Sequence, residues 1–99
     1  MKLTKNQPNN ATPGFAIRLT DETDLGNAML IAEDEAGAYL PISPVATIAE
    51  GRELAQQDLG QRMRQLDNGQ DAFCPARYRV WARGVDCYCV AAEFDASKL

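Results

Sequence analysis

The sequence predicts an α+β fold: an antiparallel sheet of about five strands with one long helix, in the order β-β-β-α-β-β. Three observations predict it. Between residues 47 and 66 apolar side chains recur at helical spacing behind a capping signal. Short alternating or apolar runs lie on both sides of that stretch, and turn residues separate them. At 99 residues the chain is long enough for one domain, and a domain of that size has only a modest core.

The first fourteen residues are rich in Asn, Lys and Thr and are broken by Pro8, Pro13 and Gly14, so 1–14 reads as a flexible arm and 15–96 as the domain. Phe15, Ile17 and Leu19 alternate with Ala16, Arg18 and Thr20, the pattern of a half-buried strand. After a polar loop ending at Gly26-Asn27, the apolar run Ala28–Ala32 predicts a central strand. Glu33–Gly37 then turns the chain into a hairpin partner, Ala38–Ile42. Pro41 cannot donate to a ladder, which puts this partner at a sheet edge.

Thr47 and Glu50 have capping-box spacing, while Ser43-Pro44 offers an earlier helix start. Ile48, Ala55, Leu59, Met63 and Leu66 form the expected apolar stripe. Asp58 and Arg62 stand four apart as a surface pair, and Asn68-Gly69 ends the helix. Gly51 and Gly60, unfavourable inside a helix, imply close packing on the sheet. Two final strands follow, about 77–83 and 87–94, joined around Gly84-Val85-Asp86. A three-residue connection places Tyr78 and Val80 on one apolar face with Tyr88, Val90, Ala92 and Phe94. A two-residue connection places them with Cys87 and Cys89 instead. The first arrangement is preferred because it gives a fully apolar face.

Composition narrows the function classes. Hydrophobic residues make up 45% and charged residues 24%, values of an ordinary globular chain. Fourteen acids against ten bases give a net charge of −4, which disfavours generic binding to nucleic acid or anionic membranes. No apolar run approaches the roughly 18 residues of a membrane span. The two N-terminal lysines precede no apolar stretch, so a cytoplasmic location is expected. The chain has no histidine, which excludes its own histidine bases, histidine ligands and Ser-His-Asp or Cys-His centres. No phosphate-cradling glycine loop or dinucleotide fingerprint is present.

Three groups of residues could carry function. Cys87 and Cys89 share one side of a strand and Cys74 could join them, but four close ligands are usual for structural zinc, so no metal or cofactor is expected. Arg77, Arg79, Trp81 and Arg83 alternate onto one strand face, a composition suited to a protein interface or to stacking on bases beside phosphates. Six acids crowd the stretch from Asp21 to Glu35, among them Glu33, Asp34 and Glu35. Five arginines lie between Arg62 and Arg83. This charge asymmetry suits a basic partner or a homo-oligomer.

The resulting expectation is a small non-enzymatic protein-binding module. Its partner surface would be Arg77, Arg79, Trp81, Arg83, Glu33, Asp34 and Glu35. A specific form is an acidic inhibitor of a nucleic-acid-binding protein, of the anti-CRISPR or anti-restriction type, in which carboxylates stand in for phosphates. Direct nucleic-acid binding by the Arg/Trp face and thiol or metal chemistry at the three cysteines remain as alternatives.

Overall fold

The computed structural model describes residues 19–83 and 88–99. The expected arm, residues 15–18 of the expected first strand, and the connection Gly84-Val85-Asp86 with Cys87 lie outside the described residues. The fold is α+β, with four strands among the described residues where five were expected. Strand β1 (Ala28–Glu33) and strand β2 (Tyr39–Val45) precede helix α1 (Ile48–Asp67). Strands β3 (Arg77–Arg83) and β4 (Tyr88–Asp95) follow it, and a single 3₁₀ turn occupies Ala96–Lys98. The order is therefore β-β-α-β-β, and the strands lie side by side as β2-β1-β3-β4, all antiparallel.

Leu19 and Thr20, the described end of the expected first strand, are not in the sheet. Their segment is committed elsewhere. The Thr20 amide donates to Thr23 Oγ1, the Ala49 amide donates to the Asp21 carbonyl, and the Leu25 amide donates to the Ala46 carbonyl. This loop straps the start of α1, and Leu19 and Leu25 pack against the core from it.

The β1–β2 connection is built around Asp34. Its Oδ1 accepts from the Ala36 and Ala38 amides, and Gly37 takes a positive φ of 90° to complete the turn. Thr47 caps the helix, accepting from the Glu50 amide at 3.1 Å. Glu50 reaches back to the Ala46 amide, one residue before the cap. Ser43 and Pro44 belong to β2 and do not start the helix. At the other end Gly69 (φ 78°) donates to the Leu66 carbonyl and Gln70 to that of Gln65, the paired bonds of a Schellman stop.

One face of the sheet takes the helix. Ala28, Leu30 and Ala32 of β1 lie in register with Ala82, Val80 and Tyr78 of β3, and these are the buried core together with Val45, Ile48, Ala55 and Phe94. Gly51 is the point of closest approach: a Cβ there would lie 2.8 Å from Val80 Cγ2. Gly60 does not share that role, since a Cβ would meet only Arg64 Nη1 at 3.7 Å. The helix, about 30 Å long at 1.5 Å per residue, outruns strands of six to eight residues. The stripe therefore emerges from cover toward its C-terminus, where Met63 is 51% exposed.

Two bulges shift the register, each placing its extra residue on an outer strand: Ile42 in β2 and Ala91 in β4. The second bulge divides the expected apolar face. Ala92 and Phe94 do pair with Val80 and Tyr78, but beyond the bulge Val90 pairs with Trp81 and Tyr88 with Arg83. Tyr88 and Val90 therefore lie on the opposite face, and Cys89, paired with Ala82, is buried on the helix face in their place.

Candidate functional site

The register maps the bare face of the sheet. From the β3 C-terminal end downward, Arg83 stands beside Tyr88. Pro44, Met29, Trp81 and Val90 form the next row, and Pro41, Ile31, Arg79 and Glu93 the one after it. Tyr39, Glu33, Arg77 and Asp95 complete the face. No element covers these rows among the described residues.

A diagonal of aromatic rings crosses this grid. The Tyr39 ring lies 5.3 Å from that of Trp81, and the Trp81 ring lies 6.3 Å from that of Tyr88. Tyr39 is on β2 and Trp81 on β3, so their contact has to pass over β1, and Ile31 lies beneath it. That explains why Ile31 is only 2% exposed on a face with no helix. The outer rings are open: Tyr39 is 57% exposed and Tyr88 58%, with Val90 beside Tyr88 at 40%. A shallow depression of about 240 Å³ lies between Arg79, Trp81, Tyr88 and Val90.

Below the diagonal lies an ionic cluster. Arg77 Nη1 donates to Glu33 Oε1 at 2.6 Å, Arg79 Nε donates to Glu93 Oε1 at 2.9 Å, and Arg79 Nη1 stands 3.6 Å from Glu33 Oε2. The Glu33 carboxylate beside Arg77 raises the guanidinium's pKa above the ordinary arginine range. Glu33 thus serves two arginines of the adjacent strand, and Arg83 has no carboxylate partner among the described residues. Asp95, which also accepts from Ser97, stands across from Arg77 and acts on it electrostatically, so three arginines face three carboxylates.

The structure brings Arg77, Arg79, Trp81 and Arg83 together on one face, as their alternation requires. It separates the three acids. Glu33 joins that same face, Asp34 is taken up by its own turn, and Glu35 is exposed in the turn beyond it. Part of the apparent charge asymmetry is resolved inside the molecule, because two of the six acids are paired, Asp21 with Arg52 and Glu33 with Arg77. The two described cysteines, Cys74 and Cys89, do not converge either. Exposed Cys74 precedes β3, buried Cys89 lies opposite its far end, and Cys87 is outside the described residues. Among the described residues no three Cys, Asp or Glu side chains are placed to hold a metal ion.

Two partners of Trp81 were not singled out by sequence. Tyr39 and Tyr88 reach it only through a long diagonal lean and through a bulge. A second polar arrangement was read as an ordinary surface pair. Asp58 Oδ2 accepts from Arg62 Nε at 2.7 Å and also from the hydroxyl of Tyr78 at 2.6 Å. Tyr78 is fully buried, and burial together with Asp58 pushes its hydroxyl well above the ordinary tyrosine pKa. A tyrosine on the core face of a strand needs a partner for its hydroxyl, and that signal was available in the sequence.

No helix among the described residues is long and apolar enough to cross a membrane. Comparison of the chain with protein-family models, with curated proteins and with solved structures gave no match.

Proposed function

We propose that the chain is a protein-binding module that works through its bare sheet face. The observation that carries this reading is the Tyr39–Trp81–Tyr88 diagonal, whose outer residues stand more than half exposed, with Val90 beside Tyr88. Exposed aromatic rings in contact with one another, with arginines around them, are the composition of an interface centre. The ionic cluster suits a rim. Its arginines are already paired, so a partner covering it strands few charges.

The same pairing weighs against direct nucleic-acid binding. Glu33 and Glu93 stand among the arginines where phosphates would have to sit, and with Asp95 beside Arg77 the face carries no net positive charge. It also weakens the phosphate-mimic form of inhibitor, since Glu33 and Asp34 have partners within the chain and Glu35 stands alone between them and Gly37.

The test is capture from host lysate by the immobilised chain, with and without nuclease, comparing wild type with Trp81→Ala and Tyr88→Ala. The expected result is a protein that survives nuclease and is lost from both variants. Retention of nucleic acid alone would replace this reading with the basic-face one, and unaltered capture by both variants would move the surface elsewhere.

A further inference from the structure

A wide groove of about 610 Å³ lies away from the aromatic diagonal, at the end of the sheet where β3 begins and β4 ends. The part of its lining that α1 contributes is apolar. Leu59 and Met63 adjoin Pro75 and Ala76 there, and Met63 is the half-exposed residue of the helix overhang. The rest is charged: Glu35 of the β1–β2 turn, Glu93 and Asp95 of β4, and Arg77 at the start of β3. A second depression of about 430 Å³ shares Glu35, Pro75 and Ala76 with the first and extends it to Asp34 and Cys74. We infer that this groove binds a basic, amphipathic segment of a partner protein, with apolar side chains on Leu59 and Met63 and lysine or arginine heads on the carboxylates.

Charge selects the occupant. Arg77 already pairs with Glu33 and Glu93 with Arg79, and Lys98 acts on Asp95. With these neighbours counted, the carboxylates of Glu33, Asp34, Glu35, Glu93 and Asp95 stand against the cations of Arg77, Arg79 and Lys98. The excess is negative, so the groove attracts a cationic segment and repels an acidic one or a nucleic acid. Hydrogen bonds fix Asp34 through Oδ1, Glu93 through Oε1 and Asp95 through Oδ1. Each keeps a second oxygen that can accept from an ammonium or guanidinium group. Glu35 is exposed where the two depressions meet and has no hydrogen-bond or ion-pair partner among the described residues.

The apolar lining separates a peptide from a simple cation. A small polycation satisfies the carboxylates but leaves Leu59 and Met63 in water. A segment with both kinds of side chain covers the two parts at once, and the flexible thioether of Met63 adapts to the shape of the apolar group it meets. Lysine and arginine add their own stems, which lie on apolar surface while the head stays charged. None of the three rings of the diagonal lines the groove, so this surface is separate from the one proposed above.

The experiment is an NMR titration of the isotope-labelled full chain with a capped synthetic peptide of alternating leucine and arginine, up to about 1 mM. In extended form such a peptide sets its leucines on one side and its guanidinium groups on the other. Shifts are expected at the amides of Glu35, Ala76 and Ser97 and at the Met63 methyl. The affinity should weaken yet persist as salt rises from about 50 mM to about 500 mM. Glu35→Lys, in an exposed turn, is expected to weaken binding about three- to tenfold. Met63→Ser should weaken it by a similar factor, through lost apolar contact. Glu53→Lys, an exposed helix position outside the groove, should leave the groove shifts in place. No shift at the highest concentration would overturn the inference, as would shifts spread equally over Asp21, Glu22 and Asp24, which mark bulk charge attraction. Equal binding by a peptide with glutamate in place of arginine, or by Met63→Ser, would do the same. Spermidine binding as tightly as the peptide would assign the groove to a small polycation instead. Capture from lysate reads Trp81 and Tyr88 while this titration reads Glu35 and Met63, so the two proposals fail separately.

Discussion

The helix-covered face and the bare face of this sheet draw on alternate residues of the same four strands, yet they achieve burial differently. On the covered face Leu30, Val80 and Tyr78 are sealed by a second layer brought within contact through Gly51. On the bare face the sheet shelters its own central residue, because Tyr39 and Trp81 close over Ile31. The first solution needs shape fit between two rigid elements. The second uses two long side chains that can settle again if something beneath them is lost. A closed layer contributes stability, and a self-shielded one leaves rings available to a partner.

Truncation under each layer separates the two most sharply. Leu30→Ala is expected to cost about 2–5 kcal/mol, because the helix and β3 cannot collapse into the space. Ile31→Ala, with a side chain of equal size and similar burial, is expected to cost about 2 kcal/mol, the low end of the same range, because the rings above it can sink. Urea unfolding of both variants measures the difference, and equal losses would show that the bare face is as rigid as the covered one.

The polar contact of the covered face comes next in size. Tyr78→Phe removes the hydroxyl that donates to Asp58 while Arg62 still holds the carboxylate, so the loss is expected near about 1.5 kcal/mol at neutral pH. Its pH dependence has a definite sign. The folded state keeps the Tyr78 proton above pH 10.0, where the ordinary hydroxyl ionises, while the unfolded chain releases it. Stability from this group is therefore fully present below about pH 10 and falls as pH rises beyond it. The variant lacks that fall, and its deficit against wild type should narrow in alkaline urea titrations.

The smallest effect contrasts the two helix glycines. Gly51→Ala drives a methyl into Val80, and overpacking of about 1–3 kcal/mol outweighs the gain of about 1 kcal/mol in helix propensity. Gly60→Ala meets no such obstacle and should stabilise by about 0.5–1 kcal/mol. Paired melting curves with shifts of opposite sign are expected. Shifts of the same sign would mean that the helix does not rest on Gly51.

Local signals in the sequence sufficed for the hairpin, the helix with its cap and stop, and the face of β3, because each is written within a few residues. Thr47, Glu50 and Gly69 do what their spacing requires. Arg77, Arg79, Trp81 and Arg83 share a face because β3 is regular from end to end. The fate of β4 was not legible. Strict alternation places Tyr88 and Val90 with Phe94, and one unpaired residue, Ala91, reverses that for half the strand. Nor could pairing reveal that Glu33 lies beside Arg77, since neighbours across a sheet are set by strand order. The segment from Leu19 to Leu25 reads as strand and loop by pattern, but its backbone bonds go to the helix start and the end of β2.

The two bulges bear on how this molecule behaves in a crowded solution. A sheet polymerises when an outer strand offers a flat, uninterrupted row of amides and carbonyls to the next chain. Here one outer strand carries Pro41, Pro44 and the kink at Ile42, and the other bends at Ala91. Neither presents a straight template. A chain that displays two tyrosines, a tryptophan and a valine on one side is thereby protected against fibre growth from its edges.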